Sequence, residues 1–435
     1  MRSEADSLSS TSPISSVQSR TPRFGETIRQ TGMLFSAQTG TMFVNLLVSF
    51  VLLKWMEPEE MGRLAWCLSI IIITGLFFEL GIFAAGARLL ALAKDGEAER
   101  SALGALVLMA MGIGSAVAIF IASLAPVLDI FFRTDTRWLL ITTAVLTFFQ
   151  PFQLLIELSC QGLNRIRQLA VFQLLISSFY LLSLLGLALS HRLSAKSALI
   201  AYLTGIGVAA LYTLMQLRPV FKGSSAYRKL ILKEARGYGL NLYLARITAT
   251  ASVRLDNFVI KFFLPQYSLL GFYDRAQKLT NPISTLARAL AITRFRAFAD
   301  VRQVPKRIIK WNTFILIAAS LMMAIVGPIL LRWAFPKYAE SAPLLIPFAA
   351  FNLFAGLFQP YNTFLAARGH SAAIRNIAIM VTIVSITGLL IAVPRWGIWG
   401  AAWAGAFTML LDYLLHLYYY RKSLKDEVQS PESCD

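Results

Sequence analysis

The sequence has few charged residues for its length. Only 15% of its 435 residues are charged, whereas soluble domains carry about 25%, so there is too little polar material to cover a soluble protein of this size. Hydrophobic residues make up 57% of the chain. They form continuous blocks of roughly 20 residues, the length that crosses a ~30 Å hydrocarbon core. The blocks do not alternate as the strands of a membrane barrel do, so membrane-spanning helices are predicted.

Residues for metal, disulfide and nucleotide chemistry are also scarce. The three cysteines, Cys67, Cys160 and Cys434, lie far apart in two hydrophobic segments and the tail, so no disulfide framework or zinc site is predicted. The three histidines are isolated, and neither a GxxxxGK[ST] loop nor an HExxH motif occurs. The sequence therefore indicates no metal and no cofactor.

Twelve spans can be placed along the chain, and the seventh and eighth are unusual because they contain charges. The loops on one side are all short, which leaves no room for an extracytoplasmic catalytic domain. The first 22 residues are rich in Ser and Thr without an apolar run, which excludes a cleavable signal peptide and indicates a disordered tail. The predicted spans are 33–53, 64–86, 101–124, 137–157, 169–190, 197–217, 238–263, 267–293, 310–333, 342–366, 372–394 and 396–419.

The distribution of Lys and Arg predicts the orientation. With the N-terminus inside, the inner segments carry 26 of these residues and the outer loops 10, a strong positive-inside bias. We therefore expect a multi-pass membrane protein with both termini cytoplasmic and membrane lipids around it. The net charge of +18 is explained by these loops, and no nucleic-acid partner is predicted.

An internal repeat divides the spans into two sets of six. Segment 53–58 matches 260–265 at an offset of 207, and 150–152 matches 359–361 at an offset of 209. Two halves that enter the membrane in the same direction are related by an axis along the membrane normal, and transporters of this kind place substrate between the halves. The predicted units are a disordered N-tail (1–30), an N-terminal six-helix bundle (31–217), a cytoplasmic linker (218–237), a C-terminal six-helix bundle (238–420) and a cytoplasmic C-tail (421–435).

The two charged spans each carry one polar stripe. Charge inside a membrane helix is costly and usually functional. At 100° per residue, each span gathers its polar residues within a sector of about 80°. They are Tyr243, Arg246, Thr250, Arg254, Asn257 and Lys261 in span seven, and Asp274, Lys278, Asn281, Thr285 and Arg288 in span eight. Arg275 and Asp256 fall just off the stripes. Such stripes are typical of helices that line a water-filled cavity, and a net positive cavity suits a phosphate or diphosphate.

Several charges have a second interpretation. Lys261 and Asp274 could extend to the outer interface, and Arg246 and Arg288 could contact lipid phosphates at the inner surface. Glu79, alone in span two, could be a structural capping carboxylate or an ion or proton carrier. We keep Glu79, Asp256 and Asp274 as candidates for ion or proton coupling.

Three short motifs stand out along the chain. They are Leu53 through Pro58 to Gly62, Glu79-Leu80-Gly81, and Arg254-Leu255-Asp256 leading through Pro265 and Gly271 to Tyr273. These motifs resemble the bacterial polysaccharide exporters of the Wzx type, in the multidrug/oligosaccharidyl-lipid/polysaccharide exporter superfamily. The resemblance covers about residues 27 to 420 and implies a location in the bacterial cytoplasmic (inner) membrane.

The resemblance implies an all-α integral membrane protein with about twelve transmembrane helices in two pseudo-symmetric six-helix bundles around a central cavity. It implies a non-enzymatic flippase that carries polyprenyl-diphosphate-linked oligosaccharides, in association with polysaccharide polymerase and export machinery. The family's cationic cavity maps by position onto Arg246, Arg254, Lys278 and Arg288. Open alternatives are a multidrug-type cation antiporter, a peptidoglycan-precursor flippase and a membrane glycosyltransferase, polymerase or ligase.

Overall fold

A computed structural model describes residues 24–93, 95–293, 303–368 and 370–429, and these residues contain helices and turns without a β-strand. Among these residues, seven helical stretches are each long and apolar enough to cross a membrane, judged by length and composition. The helices are α1 (Phe24–Trp55), α2 (Pro58–Glu79), α3 (Ile82–Leu92), α4 (Gly96–Phe132), α5 (Arg137–Thr147), α6 (Gln150–Gly162), α7 (Ile166–Leu189), α8 (Ala195–Leu217), α9 (Ser224–Glu234), α10 (Leu240–Phe263), α11 (Tyr267–Thr293), α12 (Lys306–Ala334), α13 (Leu345–Leu357), α14 (Gln359–Ala367) and α15 (Ser371–Gln429).

These helices make twelve passes, as predicted. The two charged spans are the helices α10 and α11, which confirms that both belong to the count. Three passes are each built from two helices, namely α2 with α3, α5 with α6, and α13 with α14. Helix α15 supplies the last two passes and bends at Gly397, whose φ of 59° and ψ of −142° interrupt the helix. An even number of passes puts both ends of the chain on one side, which we call the terminal side; the opposite side is the far side.

The fourth and tenth passes break at the same point of the repeat. Helix α6 begins at Gln150 and α14 at Gln359, and each has a proline in its first turn. Proline is tolerated there because the first helical N–H groups have no intrahelical partner. The repeated Gln-Pro motif therefore starts a new helix inside a membrane pass, and the repeat in the sequence is also a repeat in the structure.

The two bundles, α1–α8 and α10–α15, meet along α1 and α2 on one side and α10 and α11 on the other. At the far side the contact is reciprocal. A Cβ added at Gly62 would meet the carbonyl of Tyr267, and one added at Gly271 would meet the carbonyl of Pro58. Only glycine allows two helices to approach this closely without displacement. The paired glycines thus seal the far side around the symmetry axis.

Two further contacts hold the far side closed. The hydroxyl of Tyr338 donates a hydrogen bond to the carbonyl of Met56 over 3.1 Å, and Lys337 forms an ion pair with Glu57. In each contact one partner belongs to each half of the chain. The two halves are thus joined at the far side by both backbone packing and polar contacts.

Helix α9 lies inside the predicted linker 218–237. It packs on α3 and α4 of the first bundle, and Arg88 of α3 pairs with its last residue, Glu234. Residues 1–23 of the predicted N-tail and 430–435 of the predicted C-tail lie outside the described residues.

Candidate functional site

A cavity of about 600 Å³ lies between the two bundles. Helices α1, α2, α6, α7 and α8 line it on one side, and α10 and α11 on the other. Asn45 of α1 and Asn281 and Thr285 of α11 are exposed, so the cavity is accessible between these helices. Its polar and charged lining residues are Gln38, Thr41, Asn45, Ser49, Gln153, Glu157, Gln173, Ser177, Tyr180, Tyr202, Arg254, Arg275, Lys278, Asn281 and Thr285.

Three basic side chains form the wall of the second bundle, namely Arg254 on α10 and Arg275 and Lys278 on α11. The carboxylate of Asp274 accepts a hydrogen bond from Arg275 Nη2 at 2.5 Å and pairs with Lys278 Nζ at 3.1 Å. Arg275 is 1% exposed and Asp274 2%, whereas Lys278 remains 32% exposed. One carboxylate therefore balances two of the three cations, and this basic wall keeps an excess of positive charge toward the cavity.

The wall of the first bundle is nearly neutral. It carries Gln153 and Glu157 on α6, Gln173 and Tyr180 on α7, and Tyr202 on α8. Glu157 is the single acidic side chain among the described lining residues. The cavity is consequently two-sided, with cations on one wall and amides and phenols on the other.

The structure divides the predicted site residues into separate groups. Arg254, Lys278 and Asn281 line the cavity. Asn257 instead donates a hydrogen bond from Nδ2 to Ser69 Oγ on α2 at 2.7 Å. Asp256 is buried behind the wall, where it accepts a hydrogen bond of 2.9 Å from the hydroxyl of Tyr273.

Arg246 and Glu79 lie away from the cavity lining. Glu79 is 2% exposed and is the last residue of α2, directly before the turn that leads into α3. Arg246 is half-buried on α10 and does not contribute to the cavity lining. The side chain of Arg288 lies outside the described residues.

Sequence reasoning missed Arg275 as a lining residue for a geometric reason. Successive residues on a helix point about 100° apart, so Arg275 cannot share the stripe of its neighbour Asp274. Its side chain reaches back to that carboxylate through Nε, at 3.1 Å, as well as through Nη2.

The polar residues of α7 could have been found from the sequence. Gln173, Ser177 and Tyr180 are spaced at i, i+4 and i+7, and residues at this spacing share one helix face.

The charged lining of the site can bind an anion. Among the described residues no group of three His, Cys, Asp or Glu side chains is placed to hold a metal ion. The basic wall offers charge-assisted hydrogen bonds to an anion, and these are stronger in a partly buried site than in water. Arginine is suited to phosphate because its planar fork donates two parallel hydrogen bonds.

Comparison with known proteins gives a family match and a fold match. A family model described as "Polysaccharide biosynthesis protein" matches residues 27–291. A comparison with curated protein sequences finds no match. The lipid II flippase MurJ in an inward-closed conformation has a similar structure, with a TM-score of 0.67 at 13% identity, covering 94% of this chain and 94% of that chain.

Multidrug resistance transporters of the MATE family in the MOP superfamily share the fold as well. An inward-facing structure gives a TM-score of 0.70 at 15% identity, covering 90% of this chain and 96% of that one. An outward-facing structure gives 0.60 at 14% identity, with coverages of 92% and 95%. At such low identity the similarity establishes the fold, and function has to be argued from the site.

Proposed function

We propose that this chain, which belongs to the polysaccharide biosynthesis protein family, is a flippase for lipid-linked sugars. Its substrate is a polyprenyl-diphosphate-linked oligosaccharide, which it moves across the bacterial inner membrane by alternating access. The translocated lipid-linked oligosaccharide serves the synthesis of a surface polysaccharide, which is an exopolysaccharide, a capsule or an O-antigen. The diphosphate binds the basic wall of Arg254, Arg275 and Lys278.

The observation that carries this proposal is the excess positive charge of the basic wall inside a membrane bundle. Placing three cations inside a membrane bundle is costly unless an anion compensates them. Arg275 is buried, Arg254 and Lys278 are half-buried, and Asp274 contacts only two of the three. A diphosphate supplies the missing negative charge. The prenyl chain stays in lipid while the sugar occupies the rest of the cavity of about 600 Å³, a size that suits a small ligand.

The closed far side and the exposed lining of α1 and α11 support a cycle that begins on the terminal side. There the lipid enters between the bundles, and the basic side chains replace the water around its diphosphate. The bundles then rock about the bound substrate, and the far side opens where Gly62 and Gly271 meet. The higher TM-score with the inward-facing MATE structure than with the outward-facing one, 0.70 against 0.60, supports a terminal side that is cytoplasmic.

Coupling to an ion or proton gradient is part of the proposal. Glu79, Asp256 and Asp274 are the candidate carriers, and all three are buried in the membrane region, at 2%, 6% and 2% exposure. Export of organic cations is less well supported, because such a cargo calls for an acidic cavity. The described lining of this cavity has one acidic side chain, Glu157, and three basic ones.

The test is transport of a labelled polyprenyl-diphosphate sugar by purified protein in liposomes. Arg254→Gln and Lys278→Gln each remove a charged hydrogen bond of about 1.5–3 kcal/mol, so we expect transport at a fixed low substrate concentration to fall by about tenfold or more. Arg192→Gln is the matched control, because it removes the same charge from an exposed position outside the cavity.

Recovery of the lipid-linked sugar with its bonds intact separates a flippase from a glycosyltransferase or polymerase. Lipid II and an organic cation, assayed in the same liposomes, test the two other cargoes. Undiminished transport by folded Arg254→Gln and Lys278→Gln proteins would refute the diphosphate site.

A further inference from the structure

The neutral wall of the cavity has its own internal order. Gln153 donates a hydrogen bond from Nε2 to Glu157 Oε1 at 3.2 Å, and the hydroxyl of Tyr202 donates to Gln153 Oε1 at 3.5 Å. Tyr202 also packs edge-on against Tyr180, with ring centroids 5.6 Å apart. Three helices of the first bundle thus present one connected surface of rings, an amide and a carboxylate.

This surface stands opposite the basic wall. Tyr180, Tyr202 and Glu157 line the same cavity of about 600 Å³ as Arg254 and Arg275. A molecule whose charged end occupies the basic wall therefore places its next group over the tyrosines and beside Glu157.

The chemistry of the neutral wall fits a sugar. An amide offers both donors and acceptors, and a carboxylate accepts from two hydroxyl groups. Tyrosine combines an apolar ring with a hydroxyl tip, which matches the C–H face and the hydroxyl edge of a pyranose. Gln173 lines the same wall on α7 and adds a second amide.

We propose that Gln153, Glu157, Gln173, Tyr180 and Tyr202 form a recognition site for the sugar attached directly to the diphosphate, and that Glu157 restricts this sugar to neutral or amino sugars. The inference rests on the proposed function, since the diphosphate on the basic wall sets the position of the sugar. Glu157 excludes hexuronic acids because a second carboxylate beside it in a partly buried site is repelled. A neutral sugar instead donates hydroxyl hydrogen bonds to it.

The test measures binding of three lipids to the full-length protein in nanodiscs: undecaprenyl diphosphate alone, the same lipid carrying glucose, and the same lipid carrying glucuronic acid. For the wild type we expect the glucose form to bind about tenfold tighter than the bare lipid, since one or two hydrogen bonds are gained. The glucuronic acid form should bind more weakly than the glucose form.

Glu157→Gln keeps the shape of the side chain and removes its charge. It should reduce the preference for glucose over glucuronic acid by about tenfold, because the repulsion between the two carboxylates is lost. Any effect of the lost charge on the diphosphate itself is common to all three lipids and cancels in this ratio. Glu97→Gln is the matched control, as Glu97 is an exposed carboxylate at the start of α4.

The outcomes separate the two proposals. If the wild type binds none of the three lipids, the proposed function fails. If it binds all three equally, or if Glu157→Gln changes all three affinities by the same factor, the diphosphate site stands and the sugar site is overturned.

Discussion

Asp274 is the residue on which the basic wall depends, because two cations share its carboxylate. Arg275 and Asp274 are 1% and 2% exposed, so neither charge is screened by water. Breaking a buried pair by removing one partner costs about 3–5 kcal/mol. Asp274→Asn should therefore lower the midpoint of thermal unfolding in detergent, whereas Glu340→Gln, at an exposed position, should leave it unchanged.

The same variant tests whether the cavity binds diphosphate. Without the carboxylate the basic wall gains one unit of positive charge, so inorganic pyrophosphate should raise the unfolding midpoint of Asp274→Asn more than that of the wild type. An equal rise in the two proteins, or none in either, would contradict a diphosphate site at these side chains.

At the scale of single helices, the contact of α2 with α11 through Gly62 is the feature most sensitive to added volume. A methyl group at Gly62 meets the backbone of Tyr267, and overpacking of this kind costs about 1–3 kcal/mol. Gly62→Ala should separate the two helices at the far side. Gly112→Ala is the control, since a Cβ at Gly112 of α4 meets nothing within 4 Å.

Cys67 reports this separation. Its side chain is 0% exposed and lies on α2 shortly after Gly62. In a protein whose Cys160 and Cys434 are replaced by Ala, we expect maleimide to label Cys67 about tenfold faster once Gly62→Ala shifts the contact by ~1.4 kcal/mol. Labelling at the wild-type rate would show that the paired glycines do not close the far side.

The helices also show what sequence periodicity could predict. The polar stripe of α10 was found correctly as a stripe, but helical geometry does not identify the surface it faces. Tyr243 donates its hydroxyl hydrogen bond to the carbonyl of Phe77 at 3.0 Å, and Asn257 bonds to Ser69. Much of the stripe therefore joins α10 to α2, and Arg254 is the member that reaches the cavity.

The breaks inside the passes were not predicted. Spans 137–157 and 342–366 read as continuous apolar segments, yet each contains two helices. Hydropathy does not register such a break because neighbouring helices and local hydrogen bonds satisfy the freed backbone groups. The Gln-Pro motifs that revealed the repeat mark the start of the second helix in each pass.

For the whole molecule, the count of twelve passes and the division into two bundles followed from block length and from the repeat. Which side is closed did not follow, because both states of a rocking transporter share one sequence and differ only in contacts between the bundles. The neutral wall was not predicted either. Its residues come from three helices, and their convergence is a property of the packing.

The rocking movement makes a prediction at the exposed ion pair between Glu57 and Lys337. These side chains are 60% and 50% exposed, so the pair contributes only about 0–1 kcal/mol. Replacing both by cysteine should leave folding and transport intact. Joining the two cysteines with a short cross-linker fixes the bundles together at the far side, and we expect transport to stop while the lipid-linked sugar still binds.

Reduction of a cleavable cross-linker should restore transport. The control is a pair on one helix, Glu59 and Arg63 of α2. Arg63 Nη2 lies 3.0 Å from Glu59 Oε1, and the two residues do not move relative to each other when the bundles rock. Cross-linking that pair should leave transport unchanged. Continued transport with positions 57 and 337 joined would mean that the far side does not open between the bundles, and the substrate would then need a path within one bundle. Such a path is difficult to reconcile with a cavity whose two walls come from different halves of the chain.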